Sequence, residues 1–438
     1  MSVSVSSVAF GDLRVVAALS VALMVGACKP TPISAPEPAV ADVQTDTEAP
    51  KPEPVPEPVP DPGPERHAQL DDVALFFAGM PLPEGSALAK HTQDARYQAY
   101  SARINQAWDK YDVETRQKIL TWTRAELADI EPGPVFYPFS GPDILNAVTI
   151  LPQGTQYTML GLEPAGAVPK LHDLDTNGVM ARVKQVELAL EHILGRNYFI
   201  TTSMKEAMDE QQGVADIMLF FLVRTGHEII DMRLIELNEA GEAVEPGTTG
   251  DSPTPGIEVS FRVRGETGVE SSKVARFFPG NAADDHFTKY RGLAKHLENQ
   301  GELISMAKAA SYLLFYPAFD DVRAVVLDRS KAVVTDSSGL PFHYVETERW
   351  DVTLYGSYYK PIPEYIDRCQ PNLDRALTAR SKGKLPFHFG YNFQTRDHLI
   401  VARRKTAITD PGYDRSNAKG DNTRCKEGKL ITDKVDFD

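Results

Sequence analysis

Glu228-Ile229-Ile230-Asp231-Met232-Arg233-Leu234-Ile235-Glu236-Leu237 decides the fold class. The stretch is rich in isoleucine and leucine, short, and followed by turn-forming residues, so it reads as a strand. Two further strand-like segments follow at 257–263 and 273–278, set apart by glycine- and proline-rich turns. Upstream the period changes. Tyr97, Tyr100, Ile104, Ala107, Trp108 and Tyr111 recur at three- and four-residue steps, and Ile119, Trp122 and Leu127 continue past Asp112. That pattern predicts a helical hairpin ended by Gly133-Pro134.

Between these regions the sequence predicts a strand at 135–137 and a helix opening at Gly141-Pro142-Asp143, with a further strand at 157–162. An amphipathic helix follows over 177–194, then a buried one over 216–223 that is too short to span a bilayer. Downstream it predicts helices at 303–315 and 319–331, broken at Pro317, and strands at 350–355, 386–393 and 398–404. The last two strands form a hairpin across Thr395-Arg396-Asp397. Blocks of helices alternating with blocks of strands argue for α+β, with helices packed on a largely antiparallel sheet in one large domain or two subdomains.

The chain is 42% hydrophobic and 24% charged, ordinary for a globular protein, with a net charge of −15. Part of that charge sits in residues 28–66, where proline occupies nearly every other position from Pro50 to Pro64 and acids outnumber bases. Each proline fixes φ and removes an amide donor, so this stretch reads as a disordered, extended tether. The expected organisation is a leader over 1–27, the tether over 28–66, a globular domain over 67–410 and a poorly ordered tail over 411–438. Bases exceed acids from Pro371 onward. Neither a basic helix nor interleaved aromatic and basic residues point to nucleic acid.

Arg14 precedes an apolar run from Val15 to Val25, about half the ~20 residues a membrane-spanning helix needs, so the run reads as the core of an export signal. Val25-Gly26-Ala27-Cys28 resembles the lipobox of bacterial lipoproteins. The resemblance implies diacylglycerol and a further acyl chain on Cys28, and membrane attachment by lipid alone. Lys29, where aspartate usually retains a lipoprotein at the inner membrane, implies the outer membrane, with the domain facing the periplasm. With Cys28 acylated, Cys369 and Cys425 form an even pair in an oxidising compartment. A disulfide between them would pin the tail and contribute ~4 kcal/mol through loop entropy.

Candidate chemistry is sparse. Asp173-Leu174-Asp175-Thr176-Asn177-Gly178 matches the first half of a calcium loop, but Lys184 stands where the bidentate glutamate belongs, and a capped helix start is the better reading. No metal and no cofactor is expected. Asp143, Glu163, Asp336 and His343 form the pool from which an acid/base pair would come, including the pairings Asp143 with Glu163 and Asp336 with His343. Ser140 lacks the frame of a nucleophile elbow. Tyr137, Tyr355 and His388 are candidate ligand-binding residues.

Tyr137–Asp143, Gly161-Leu162-Glu163-Pro164, Ala310-Ser311-Tyr312-Leu313, Asp336–Pro341, Leu354-Tyr355-Gly356 with Pro361-Ile362, and Gly390-Tyr391 together resemble an uncharacterised family of bacterial exported proteins and lipoproteins. The resemblance spans most of residues 130–405 and implies no activity. It often places Asp-Asp-Ser-Gly where this chain has Asp336-Ser337-Ser338-Gly339, which argues against catalysis by the second acid there. The expectation is an envelope lipoprotein that binds an envelope protein or glycan and is not an enzyme. The competing expectations are a periplasmic hydrolase and a structural component of an envelope complex.

Overall fold

The computed structural model describes residues 64–198, 213–249, 254–268, 271–287, 289, 291–391, 396–408, 424–426 and 429–431. The leader, Cys28, almost all of the tether and most of the expected tail lie outside these residues.

Ten strands form one mixed sheet. They are β1 (Gly133–Tyr137), β2 (Gly154–Gly161), β3 (His227–Leu237), β4 (Ala243–Val244), β5 (Thr254–Val263), β6 (Lys273–Pro279), β7 (Leu303–Ala307), β8 (Ser330–Thr335), β9 (Trp350–Gly356) and β10 (His398–Arg404), in the order β4-β3-β5-β6-β2-β1-β7-β8-β10-β9. Part of the expected antiparallel pairing is found in β3, β5 and β6, with Met232 opposite Val259 and Val259 opposite Ala275. On the far side β10 pairs antiparallel with β8 and β9. Between the two antiparallel flanks, β6, β2, β1, β7 and β8 run parallel. A small separate sheet pairs β11 (Arg424–Lys426) with β12 (Lys429–Ile431).

Helices cover both faces of the large sheet, so its central strands are buried on both sides. One face carries Val135, Tyr157, Met159, Ile304, Met306, Val334 and Val401. These pack on α1 (Pro64–Phe77), α2 (Ala95–Tyr111), α3 (Gln117–Glu126), α4 (Ile144–Ile150), α5 (Thr176–Arg196) and α6 (Ala215–Arg224). The other face carries Phe136, Leu160, Phe278, Val333 and Ile400 under α7 (Asp284–Phe287), α8 (Arg291–Asn299), α9 (Asp320–Arg329) and α10 (Pro371–Arg380). In α6 every residue from Ala215 to Val223 is buried, and each large apolar side chain contributes about 1.5–3 kcal/mol over exposure. Asp216, the acid in its first turn, is held by Arg182 of α5. Among the described residues no helix is long and apolar enough to cross a membrane.

Three local expectations change. The expected helical hairpin does not fold back; α2 passes through a π turn, Asp112–Arg116, directly into α3. Residues 303–307 are strand, not helix, whereas the helix expected over 319–331 forms as α9 and gives way to β8 at Ser330. Residues 386–391 form no strand, although burial still alternates there, with Phe387 and Phe389 inside and His388 outside. The chain cannot run straight at that point. Gly390 has φ +66°, and a Cβ on it would lie 1.6 Å from Asp336 Oδ2. Asn392 to Thr395, the centre of the expected hairpin, lie outside the described residues.

Candidate functional site

The carboxyl ends of β1, β2, β7 and β8 lie side by side, and each is followed by a polar loop. In open sheets with a parallel centre this edge is where ligands bind. Backbone strain concentrates here. Phe139, Asn197, Ala309, Ser311 and Tyr312 are the non-glycine residues at positive φ among those described. Such conformations cost about 1–3 kcal/mol each and persist only where surrounding contacts hold them.

The loop after β1 brings in Asp143. Its carboxylate caps α4 by accepting from the Asn146 amide at 3.1 Å, and it also accepts from Asn146 Nδ2 at 2.8 Å and Tyr137 Oη at 3.0 Å. From the loop after β7, Lys308 Nζ lies 3.2 Å from Asp143 Oδ2 and also donates to the Asn197 carbonyl. The Lys308 and Asp143 side chains are 1% and 3% exposed. Burial, with the Asp143 charge beside it, holds the Tyr137 phenol well above its usual range. Asn197, at the left-handed end of α5, ties the group together. Its Oδ1 accepts from Tyr111 Oη at 2.8 Å and from Asn146 Nδ2 at 3.1 Å, and its Nδ2 donates to the His388 carbonyl at 2.8 Å.

The loop after β8 brings in Asp336. Its carboxylate accepts from the Ser338 hydroxyl at 2.8 Å, the Gly339 amide at 3.0 Å and the Ser338 amide at 3.2 Å, which makes it the anchor of an Asx turn. Burial pushes its carboxyl up, against the Ser338 hydroxyl bond and, more distantly, the Lys308 charge. The Ser337 amide donates to His398 Nε2 at 2.9 Å, and the Ser337 carbonyl accepts from Gln370. Glu163, after β2, is buried against two glycines; a Cβ on Gly161 would lie 2.5 Å from its Oε2.

Of the acid/base pool, then, Asp143, Glu163 and Asp336 gather at one edge and His343 does not join them. The His343 ring lies tilted against Tyr344 at 3.9 Å in the turn Phe342–Tyr344, and every Asp336 bond goes elsewhere. The Ser140 hydroxyl bonds the Gly141 and Leu160 carbonyls. Tyr137 is floor, fully buried. Tyr355 is core; it bonds Glu126 at 2.6 Å and meets the Trp122 ring edge-on at 5.0 Å. His388 is 49% exposed, with Nδ1 2.7 Å from Asp397 Oδ2. Asp175 caps α5 through the Gly178 amide at 2.8 Å, and no metal-holding cluster occurs among the described residues. Cys369 is disulfide-bonded, and Cys425 lies in β11.

Above this floor lies a tyrosine surface that the sequence reading did not assemble, although Ser311, Tyr312 and Tyr391 stand in strings it quotes. Tyr391 Oη lies 2.8 Å from Ser311 Oγ, and its ring meets Tyr198 edge-on at 5.2 Å. Tyr365 packs on Tyr312 at 5.0 Å, and the Arg368 guanidinium lies 4.3 Å over the Tyr316 ring. Tyr198, Tyr316, Tyr365 and Tyr391 are all part-exposed. The charges and rings that meet here come from residues almost 200 positions apart in the chain. The arrangement offers part-exposed aromatic faces beside phenol and serine hydroxyls, which suits stacking and hydrogen bonding. The Asp143 and Asp336 carboxylates beneath each accept from several donors and are well placed to brace the loops. No family model matches this chain, nor does any curated protein or solved structure.

Proposed function

We propose that this chain is an outer-membrane lipoprotein, anchored through acylated Cys28 and facing the periplasm, whose folded domain binds an envelope glycan on its tyrosine surface. The observation that carries the reading is the convergence of Tyr198, Tyr365 and Tyr391 with Ser311 at the carboxyl edge of the parallel strands. Sugar rings present C–H faces to aromatic rings and hydroxyls to polar groups, and this surface offers both. The strained loops beneath support the reading, because strain held by a saturated polar floor keeps a surface in one shape.

A hydrolase reading draws less support. Its acids are buried, Asp143 and Asp336 are occupied by structural donors, and its histidine is elsewhere.

The test is calorimetric titration of the full chain in detergent with soluble fragments of the envelope glycan. Saturable binding is expected, weakened about tenfold or more by Tyr391→Ala and largely kept by Tyr391→Phe. If no fragment binds, or if Tyr391→Ala binds as the parent does, the glycan assignment is wrong. Fractionation addresses the anchor. The intact chain is expected with membranes, its N-terminal peptide carrying acyl mass on Cys28, and Cys28→Ser in the soluble fraction. Identical soluble behaviour of both forms would refute it.

A further inference from the structure

Helices α2 and α5 run side by side in the same direction. Arg96 reaches Asn177, Arg103 reaches Glu187 and Tyr111 reaches Asn197, so contacts advance together along both helices. Beyond the Arg103–Glu187 bridge a groove of about 930 Å³ opens between them. Ile104, Ala107, Leu190 and Leu194 supply its apolar lining, and Leu188, 45% exposed, stands at its edge. The π turn at Asp112–Arg116 contributes Glu114 and Thr115 to the wall. Such turns re-space a helix face and recur at functional positions.

Charge decides what the groove fits. Lys110, Glu114 and Lys118 follow one another at four-residue steps along one wall, and Lys184, Glu187 and Glu191 lie at three- and four-residue steps along the other. Among the described residues, Lys110, Glu114, Lys118 and Glu191 take part in no ion pair, whereas Arg103, Lys184 and Glu187 satisfy one another. An acyl lipid needs its charges gathered at one end and a bare hydrocarbon channel beyond. Here both signs run the length of the lips, as in the flanking positions that select a partner helix in a coiled coil. From Arg103 to Lys118 the wall extends roughly 22 Å at ~1.5 Å per residue, the length of an ordinary four-turn helix.

We propose that this groove is the docking site for an amphipathic α-helix of a partner protein, with an apolar stripe at three- and four-residue spacing and flanks carrying both charge signs. The partner's stripe enters between Ala107 and Leu190, and its flanks pair with Lys110, Glu114, Lys118 and Glu191. This is helix-in-groove recognition. It stands independently of the tyrosine surface.

The test uses the full chain in detergent and a fluorescein-labelled model helix of about four turns, with leucine on one stripe and alternating Glu and Lys on both flanks. Saturable binding by fluorescence anisotropy is expected. Ala107→Trp, which fills the groove, should weaken it about tenfold or more. Reversing the wall charges with Lys110→Glu and Lys118→Glu should weaken it about fivefold and restore it with a flank-reversed helix. Circular dichroism melts establish that each variant is folded. A photoreactive residue at Leu188 in the full chain, expressed in its own host, should crosslink to a protein segment of that helical pattern. Three results overturn the proposal: no saturable binding of either helix, equal binding by Ala107→Trp, or Leu188 adducts that are lipid, a second copy of this chain or a non-helical segment.

Discussion

Lys308 Nζ sits 3.2 Å from Asp143 Oδ2, with both side chains sealed from water. The two residues come from loops after different parallel strands, so the ion pair fastens the ends of β1 and β7 to each other. A buried pair of this kind gives modest net stability against an apolar replacement. Removal of one partner is expensive, because the other charge is left in a poorly polarisable setting. Lys308→Met should therefore cost about 3–5 kcal/mol in urea unfolding. Combining it with Asp143→Asn should cost clearly less than the two single changes added. A fully additive pair would show that the contact is weak.

Gly390 and Gly85 both have positive φ but differ in surroundings. A Cβ on Gly390 meets Asp336, whereas one on Gly85 meets nothing within 4 Å. Gly85→Ala should cost only about 1–2 kcal/mol, the intrinsic penalty of a left-handed alanine. Gly390→Ala should cost more than that, because it must also displace the Asp336 turn. Thermal melts of the two variants rank them directly, and equal losses would place Gly390 away from Asp336 in solution.

His227, His296 and His398 are buried and held neutral. Desolvation lowers His227, His296 and His398 from 6.5 to about 4 each, partly resisted by hydrogen bonds to backbone carbonyls. Above pH 6.5 each is neutral both folded and unfolded, so none carries a penalty. Between 6.5 and 4 the unfolded chain binds protons that the native state refuses, so stability falls as pH falls. The raised carboxyls of Asp336 and Asp397 oppose this over the acid part of that window. A histidine pKa lowered by one pH unit corresponds to about 1.4 kcal/mol, so the three together should cost several kcal/mol between about pH 7 and pH 4.5. Urea midpoints across that range check it, and His398→Gln should flatten the curve.

Cys369 is disulfide-bonded, and the chain holds only two other cysteines. Non-reducing peptide mapping should recover Cys369 linked to Cys425. Reduction should lower stability by about 2–4 kcal/mol. A Cys369–Cys28 peptide would remove the thiol that the lipid requires, and with it the membrane anchor.

The flanks of the sheet were legible because β3, β5 and β10 are strand-like runs bounded by turn residues. The centre was not. Leu303-Ile304-Ser305-Met306-Ala307 is buried on both faces, so it shows no alternation, and its leucine, methionine and alanine suit a helix equally well. Mistaking β7 hid Lys308, which marks the strand's end. The acids Asp143, Glu163 and Asp336 stood out locally through their glycine- and proline-rich turns, but nothing in linear order told that three of them share an edge while His343 leaves it. The tyrosine surface was harder still. Tyr198 and Tyr365 are unremarkable one by one, Ser311 and Tyr391 stand in strings that imply no ligand, and the four meet only because the parallel strands place their loops together.

Val135 pairs with Ile304, and Ile304 with Ala332. The middle of the sheet therefore cannot close until the chain has been made past β8. Until then β1 can pair with β2, but the edge it presents to β7 stays open. Loop closure over such separations is slow, and waiting strands of this kind invite aggregation. A newly made chain should thus depend on holding chaperones for its first moments, and its yield should respond to their supply more than to the stability of the finished fold.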